Sequence, residues 1–107
     1  MRALMLAAVL LATGVAACSG SAEDEKLGAV DAAREVYAED GEGHDLSSGP
    51  CLANPLDGPY ENWVVDIVHQ PREAADDEAE NQCSAFRDGD AEHFVELDEY
   101  GHLVRAQ

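Results

Sequence analysis

The chain changes character at one residue. Of the 17 residues before Cys18 only Arg2 is charged, whereas the 90 from Cys18 onward carry 5 basic and 23 acidic side chains, a formal charge of −18. A folded domain has to come from the second part. The first part reads as a charged start, a continuous apolar run over residues 3–12, and small residues at 14–17, the order of an export signal. A membrane-spanning helix takes roughly 17–25 apolar residues, more than this run supplies. A buried core helix of a small domain would show a polar face, and nothing polar punctuates residues 3–12.

Val15-Ala16-Ala17-Cys18 resembles the lipobox of bacterial-type lipoproteins. The resemblance covers residues 1–18 only. It implies removal of residues 1–17, a diacylglycerol on the Cys18 sulfur, and often an acyl chain on the freed amine. Two or more chains anchor a protein stably where one binds only marginally, so the implied partner is a membrane, reached through lipid on Cys18. Ser19 follows, with no acid directly after the cysteine; in a double-membrane bacterium this sorting pattern implies the outer membrane. The implied location is exported, anchored to the cell membrane or outer membrane and facing the periplasm or exterior. Residues 18–22 form a short tether, and residues 23–107 form a single small domain.

The resemblance also settles the cysteine arithmetic. With Cys18 lipidated, Cys51 and Cys83 remain, and pairing is the default in an oxidising compartment. A bridge over this loop contributes on the order of 3–4 kcal/mol on the loop-entropy model, a large share of the stability of so small a domain. The spacing is unlike C-x-x-C, which argues against a thioredoxin-like redox role. The acidity excludes nucleic acid as a partner. Lysine occurs once, at Lys26; a high-salt habitat and a GC-rich genome both produce such a composition.

Residues 23–40 predict a helix, with Leu27, Val30, Ala33 and Tyr37 on one stripe and Gly41 as its stop. Residues 41–62 are rich in Gly, Pro, Asn and Asp and predict a long loop pinned by Cys51. Residues 62–70 predict a strand, with Trp63, Val65 and Ile67 facing the core and Val64, Asp66 and Val68 facing away. Residues 74–87 predict either a short acidic helix or a loop with one helical turn near Cys83. Asp76, Asp77, Glu78 and Glu80 read as a solvated face there. Residues 92–106 predict a hairpin turning at Asp98-Glu99-Tyr100-Gly101, with Val95, Leu97 and Leu103 on one face. The expected fold is α+β: one or two short helices packed on a small three-stranded antiparallel sheet with a C-terminal hairpin and one disulfide.

The chemistry-bearing patterns are sparse. His69, His93 and His102 are candidate metal ligands if they converge with nearby acids, but their spacing matches no compact motif. No G-x-S-x-G elbow or Walker lysine is present, and no cofactor is implied. Trp63 reads most simply as core and Tyr60 as loop packing; the alternative is that both form an interface patch. The expectation is a non-catalytic interaction or accessory module of the envelope with a protein partner there. Its contact surfaces would be the 41–62 loop and the free sheet edges. The alternative is a small metal-binding protein or hydrolase using His69, His93 and His102.

Overall fold

The computed structural model describes residues 21–107. The lipobox expectation, with its lipid site at Cys18, lies outside them. Helix α1 (Ser21–Val36) continues into a π-helical turn (Tyr37–Gly41). Ser21 and Ala22, expected in the tether, are therefore helical. Strands follow at Cys51–Ala53 (β1), Trp63–Ile67 (β2), His93–Leu97 (β3) and Leu103–Ala106 (β4), with a four-residue helix α2 (Ser84–Arg87) before β3. No helix among the described residues is long and apolar enough to cross a membrane.

The α+β class holds, but the sheet is larger and differently wired than the sequence suggested. It has four strands in the order β1-β2-β3-β4. The outer pairs are antiparallel, and the central pair β2–β3 is parallel, with Trp63 opposite His93 and Ile67 opposite Leu97. The added strand β1 comes from the turn-rich segment, where pairing to β2 orders the chain around Cys51. A parallel pair cannot be closed by a tight turn and needs a long crossover. Residues 68–92 supply it. They form two 3₁₀ turns (Ala74–Asp77 and Ala79–Asn81) and α2, which agrees with the single-helical-turn reading of this stretch better than with a continuous helix.

Each face of the sheet is covered. Trp63, Val65 and Ile67 pack with Val95 and Leu97 against Ala29, Val30 and Ala33 of α1. On the opposite face Val64 packs with Cys83, Ala85 and Ala91 of the crossover. Cys51 and Cys83 are disulfide-bonded, with Cα atoms 4.9 Å apart. The bridge ties edge strand β1 to the start of α2. The expected hairpin is present as β3–β4: Asp98 carbonyl accepts from the Gly101 N–H at 3.0 Å, and Gly101 takes φ +87°, as the turn requires. Leu103 stays half exposed on the edge strand β4, while Val95 and Leu97 in the central strand β3 are fully buried.

Helix α1 is clamped at both ends. Near its start, the Trp63 Nε1–H donates to Glu25 at 3.0 Å. Past its end, the Tyr37 hydroxyl donates to the Glu99 carbonyl at 3.0 Å, so the π-turn rests on the hairpin. Leu27, expected on the buried stripe, is 60% exposed. The stripe is rotated onto Ala29, Val30 and Ala33, because Tyr60 lies against the helix backbone at Gly28. A Cβ there would overlap the Tyr60 hydroxyl and its ring carbon. Gly28 is thus a packing glycine in a helix interior. In an open helix Gly→Ala gains about 1 kcal/mol; here Gly28→Ala is expected to lose about 1–3 kcal/mol from overpacking. Urea midpoints check this, and in a Tyr60→Ala background the same substitution should turn neutral or stabilising.

Candidate ligand-binding cleft

Asp66 and Glu96 are direct neighbours across the parallel β2–β3 pair. Their side chains point away from α1, onto the face the crossover covers. The crossover does not cover it fully. A cleft of about 270 Å³ remains, lined by both carboxylates, by Arg72, Arg87 and Arg105, and by Val64, Gln82, Cys83, Phe86 and Phe94. Three of the chain's six Lys and Arg residues therefore surround one cleft of a strongly acidic protein.

The two carboxylates have opposite surroundings. Glu96 is 7% exposed and held from both sides: Arg72 Nη1 donates to one oxygen at 3.3 Å and Arg105 Nε to the other at 3.2 Å. Arg72 also donates to Asp77 at 3.1 Å. Asp66 has no such clamp. Its Oδ1 is buried and has no hydrogen-bond partner, alone in this among side-chain atoms of the described residues. Desolvation, reinforced by the Glu96 charge and only partly offset by Arg72, pushes the Asp66 carboxyl up to about 7. An orphaned polar atom of this kind calls for an explanation; the Asp66 carboxyl lines the cleft while its Oδ1 is turned inward and buried.

The walls are fixed. Cys83 is covalently tied to Cys51. Phe86 and Phe94 meet edge to face with centroids 5.2 Å apart, and the Arg105 guanidinium lies 4.8 Å over the Phe94 ring. Arg87 donates to the Ala79 carbonyl at 2.9 Å, closing the crossover on itself. Asn54 reaches across to α2, accepting from the Ala85 N–H and donating to Ser84 Oγ, both at 2.8 Å.

The three histidines singled out from the sequence are not brought together. His93 opens β3 and stacks on Trp63, centroids 4.6 Å apart. His69 lies beyond the far end of β2. His102 sits in the hairpin, 3.0 Å from Asp98. Among the described residues no group of three or more His, Cys, Asp or Glu side chains is placed to hold a metal ion. Trp63 is 3% exposed and part of the core, and Tyr60 is half-buried, packed against that core and against Gly28 of α1.

His69 instead pairs with an acid that sequence reasoning misplaced. Asp76, read as part of a solvated face, is 1% exposed. Its carboxylate accepts from the backbone N–H of His69 and of Glu73 and lies 2.9 Å from His69 Nδ1. Burial alone would raise the Asp76 carboxyl, but these donors outweigh it and hold it below the usual range. The hydrogen bond to Asp76 raises His69 against the desolvation that would lower it. This latch holds the start of the crossover at the end of β2. Compared with family models, curated proteins and solved structures, the chain matches none.

Asp66 and Asp76 each leave a signature in the dependence of stability on pH. A raised Asp66 means the native state keeps its proton while the unfolded chain has lost it. Stability relative to an Asp66→Asn variant is therefore expected to fall from about pH 4 to about pH 7 and level off above. Urea unfolding of both proteins across that range measures it; parallel curves would show that Asp66 titrates normally. The latch has the opposite window. Its His69 contribution is complete below the unfolded histidine value of about 6.5 and is lost as pH rises through the raised native value. Its Asp76 contribution is lost as pH falls below about 3.8 through the lowered one. The cost of His69→Ala should thus be greatest between those limits and shrink above neutrality.

Proposed function

We propose that this protein is a lipid-anchored, non-catalytic binding module of the cell envelope, tethered through Cys18, whose working site is the Asp66–Glu96 cleft. One observation carries the binding part: a cleft in which Glu96 is already held by two arginines while the neighbouring Asp66 carboxyl has no such clamp. A preformed concavity with a few fixed polar groups and aromatic walls is the usual form of a small-ligand site. The arrangement favours binding over catalysis. Glu96 is immobilised between two arginines, the histidines stand apart, and the cleft lining holds no Ser or Thr, while its cysteine is tied up in the disulfide. The anchor part is supported by the lipobox resemblance, and the oxidising location it implies agrees with the Cys51–Cys83 bridge.

The anchor is tested by the intact mass of protein extracted from its native membrane, before and after reduction and alkylation. The expected mass is that of residues 18–107 plus lipid, less two hydrogens for the bridge. An unlipidated chain with three alkylatable thiols would overturn it. The cleft is tested by a small-molecule screen read on backbone amide resonances of the full chain. Hits are expected to cluster on residues 64–66, 86 and 94–96. Hits confined to the hairpin or to the 41–50 segment would move the working site elsewhere.

A further inference from the structure

The chemistry of the cleft narrows what it takes, if it is the working site. We propose that it binds one neutral saccharide ring, free or at the end of a glycan, with hydroxyls engaging Asp66 and the arginine rim and the C–H face resting on Phe86.

Charge removes the alternatives first. A small anion would meet Glu96 inside the cleft and a chain of formal charge −17 around it. A cation would meet Arg72, Arg87 and Arg105. At close quarters in a partly desolvated site each such approach is costly. A neutral ligand encounters neither penalty.

Hydrogen-bond pattern comes next. Asp66 presents to the cleft a carboxyl that no arginine clamps, and the guanidiniums that hold Glu96 line the same cleft. Arginine has five N–H groups; Arg105 directs Nε to Glu96, and Arg72 directs Nε and Nη1 to Asp77 and Glu96. Adjacent acceptor and donor positions complement a vicinal diol, in which one hydroxyl donates and its neighbour accepts. Each hydroxyl offers one donor and two acceptor sites.

The apolar wall supplies the third element. Phe86 is 41% exposed at the rim although its edge-to-face contact with Phe94 fixes it. A rigid, partly open aromatic beside paired polar groups suits a ligand with one apolar face and a polar perimeter, which is the form of a sugar ring. At about 270 Å³ the cleft lies at the small end for ligand pockets, room for one ring rather than a chain. The ion pairs, the disulfide and the Arg105–Phe94 contact hold these groups in place before binding, which limits the ordering cost of a weak polar ligand.

The test titrates the full-length chain in detergent with neutral monosaccharides (glucose, galactose, N-acetylglucosamine), their neutral oligosaccharides, benzoate and benzylammonium, read on backbone amides. At least one neutral sugar is expected to shift residues 64–66, 86 and 94–96. Asp66→Ala and Phe86→Ala, each with a native-like spectrum, should both weaken it by about tenfold, the loss that follows from one buried polar or stacking contact. Tighter binding of the oligosaccharide would identify a glycan end as the source; equal binding would identify a free sugar. If only benzoate or benzylammonium shifts the cleft, the saccharide assignment falls and the binding site stands. If sugars bind with both variants unaffected, the saccharide assignment to this cleft falls. If no probe in any class perturbs the cleft, the binding-site reading falls with it.

Discussion

The rest of the fold depends on the parallel pairing of β2 with β3. Parallel neighbours cannot be joined by a short turn, so the chain leaving Ile67 must travel back along the sheet before β3 can begin at His93. With α1 on one face, residues 68–92 cross the other. Both faces of the central pair are thereby shielded, which is the usual condition of parallel strands. The crossover has little regular structure to hold it, only short 3₁₀ turns and one turn of α-helix. It is held instead by point attachments: the His69–Asp76 latch at its start, Arg72 on Glu96 from within that same stretch, and Cys83 on Cys51 nearer its end. The disulfide is one of several ties, placed where the crossover passes over edge strand β1.

That wiring also creates the cleft. An antiparallel meander would leave Asp66 and Glu96 on an open face, solvated and unremarkable. Covering that face with a crossover too irregular to fill it desolvates both carboxylates and leaves a gap above them. Two like charges side by side in low dielectric are unfavourable. The fold resolves this asymmetrically, giving both nearby arginines to Glu96 and leaving Asp66 to hold its proton to near neutrality. The same asymmetry leaves one oxygen of Asp66 without a partner.

Much of the local structure was legible in the sequence, and most of the long-range pairing was not. The helix, the strand at Trp63 and the hairpin at Gly101 follow from spacing and turn chemistry that act within a few residues. Leu27 was misplaced because the contact that rotates α1 is between Gly28 and Tyr60, far apart in the chain. The parallel register could not be read from the hairpin pattern, since a strand followed by an acidic, broken stretch and another strand fits either direction. One signal was available. Val64 and Val68 flank Asp66 on the face read as solvent-facing, and a strand apolar on both sides is one covered on both sides. Taken at full weight, that would have placed Asp66 in a covered environment. Asp76 had no such signal, because among four neighbouring acids only its distance to His69 distinguishes it.

The arginines follow from the same constraint. With 23 acids and few bases, the domain carries strong self-repulsion, and dispersing its basic residues over the surface would relieve it most evenly. Instead three arginines gather around the crossover. Individually, half-exposed ion pairs contribute little, so their position is better explained by what they position than by what they add to stability. Arg72 spans from the crossover to β3, Arg105 links β4 to β3, and Arg87 bonds back to Ala79. Of the three, Arg72 ties the crossover to a central strand, and the cleft that all three line is the one that Asp66 lines too. The features that keep the crossover in place and those that give the cleft its polar lining are the same side chains, so the cleft has its shape before any ligand arrives.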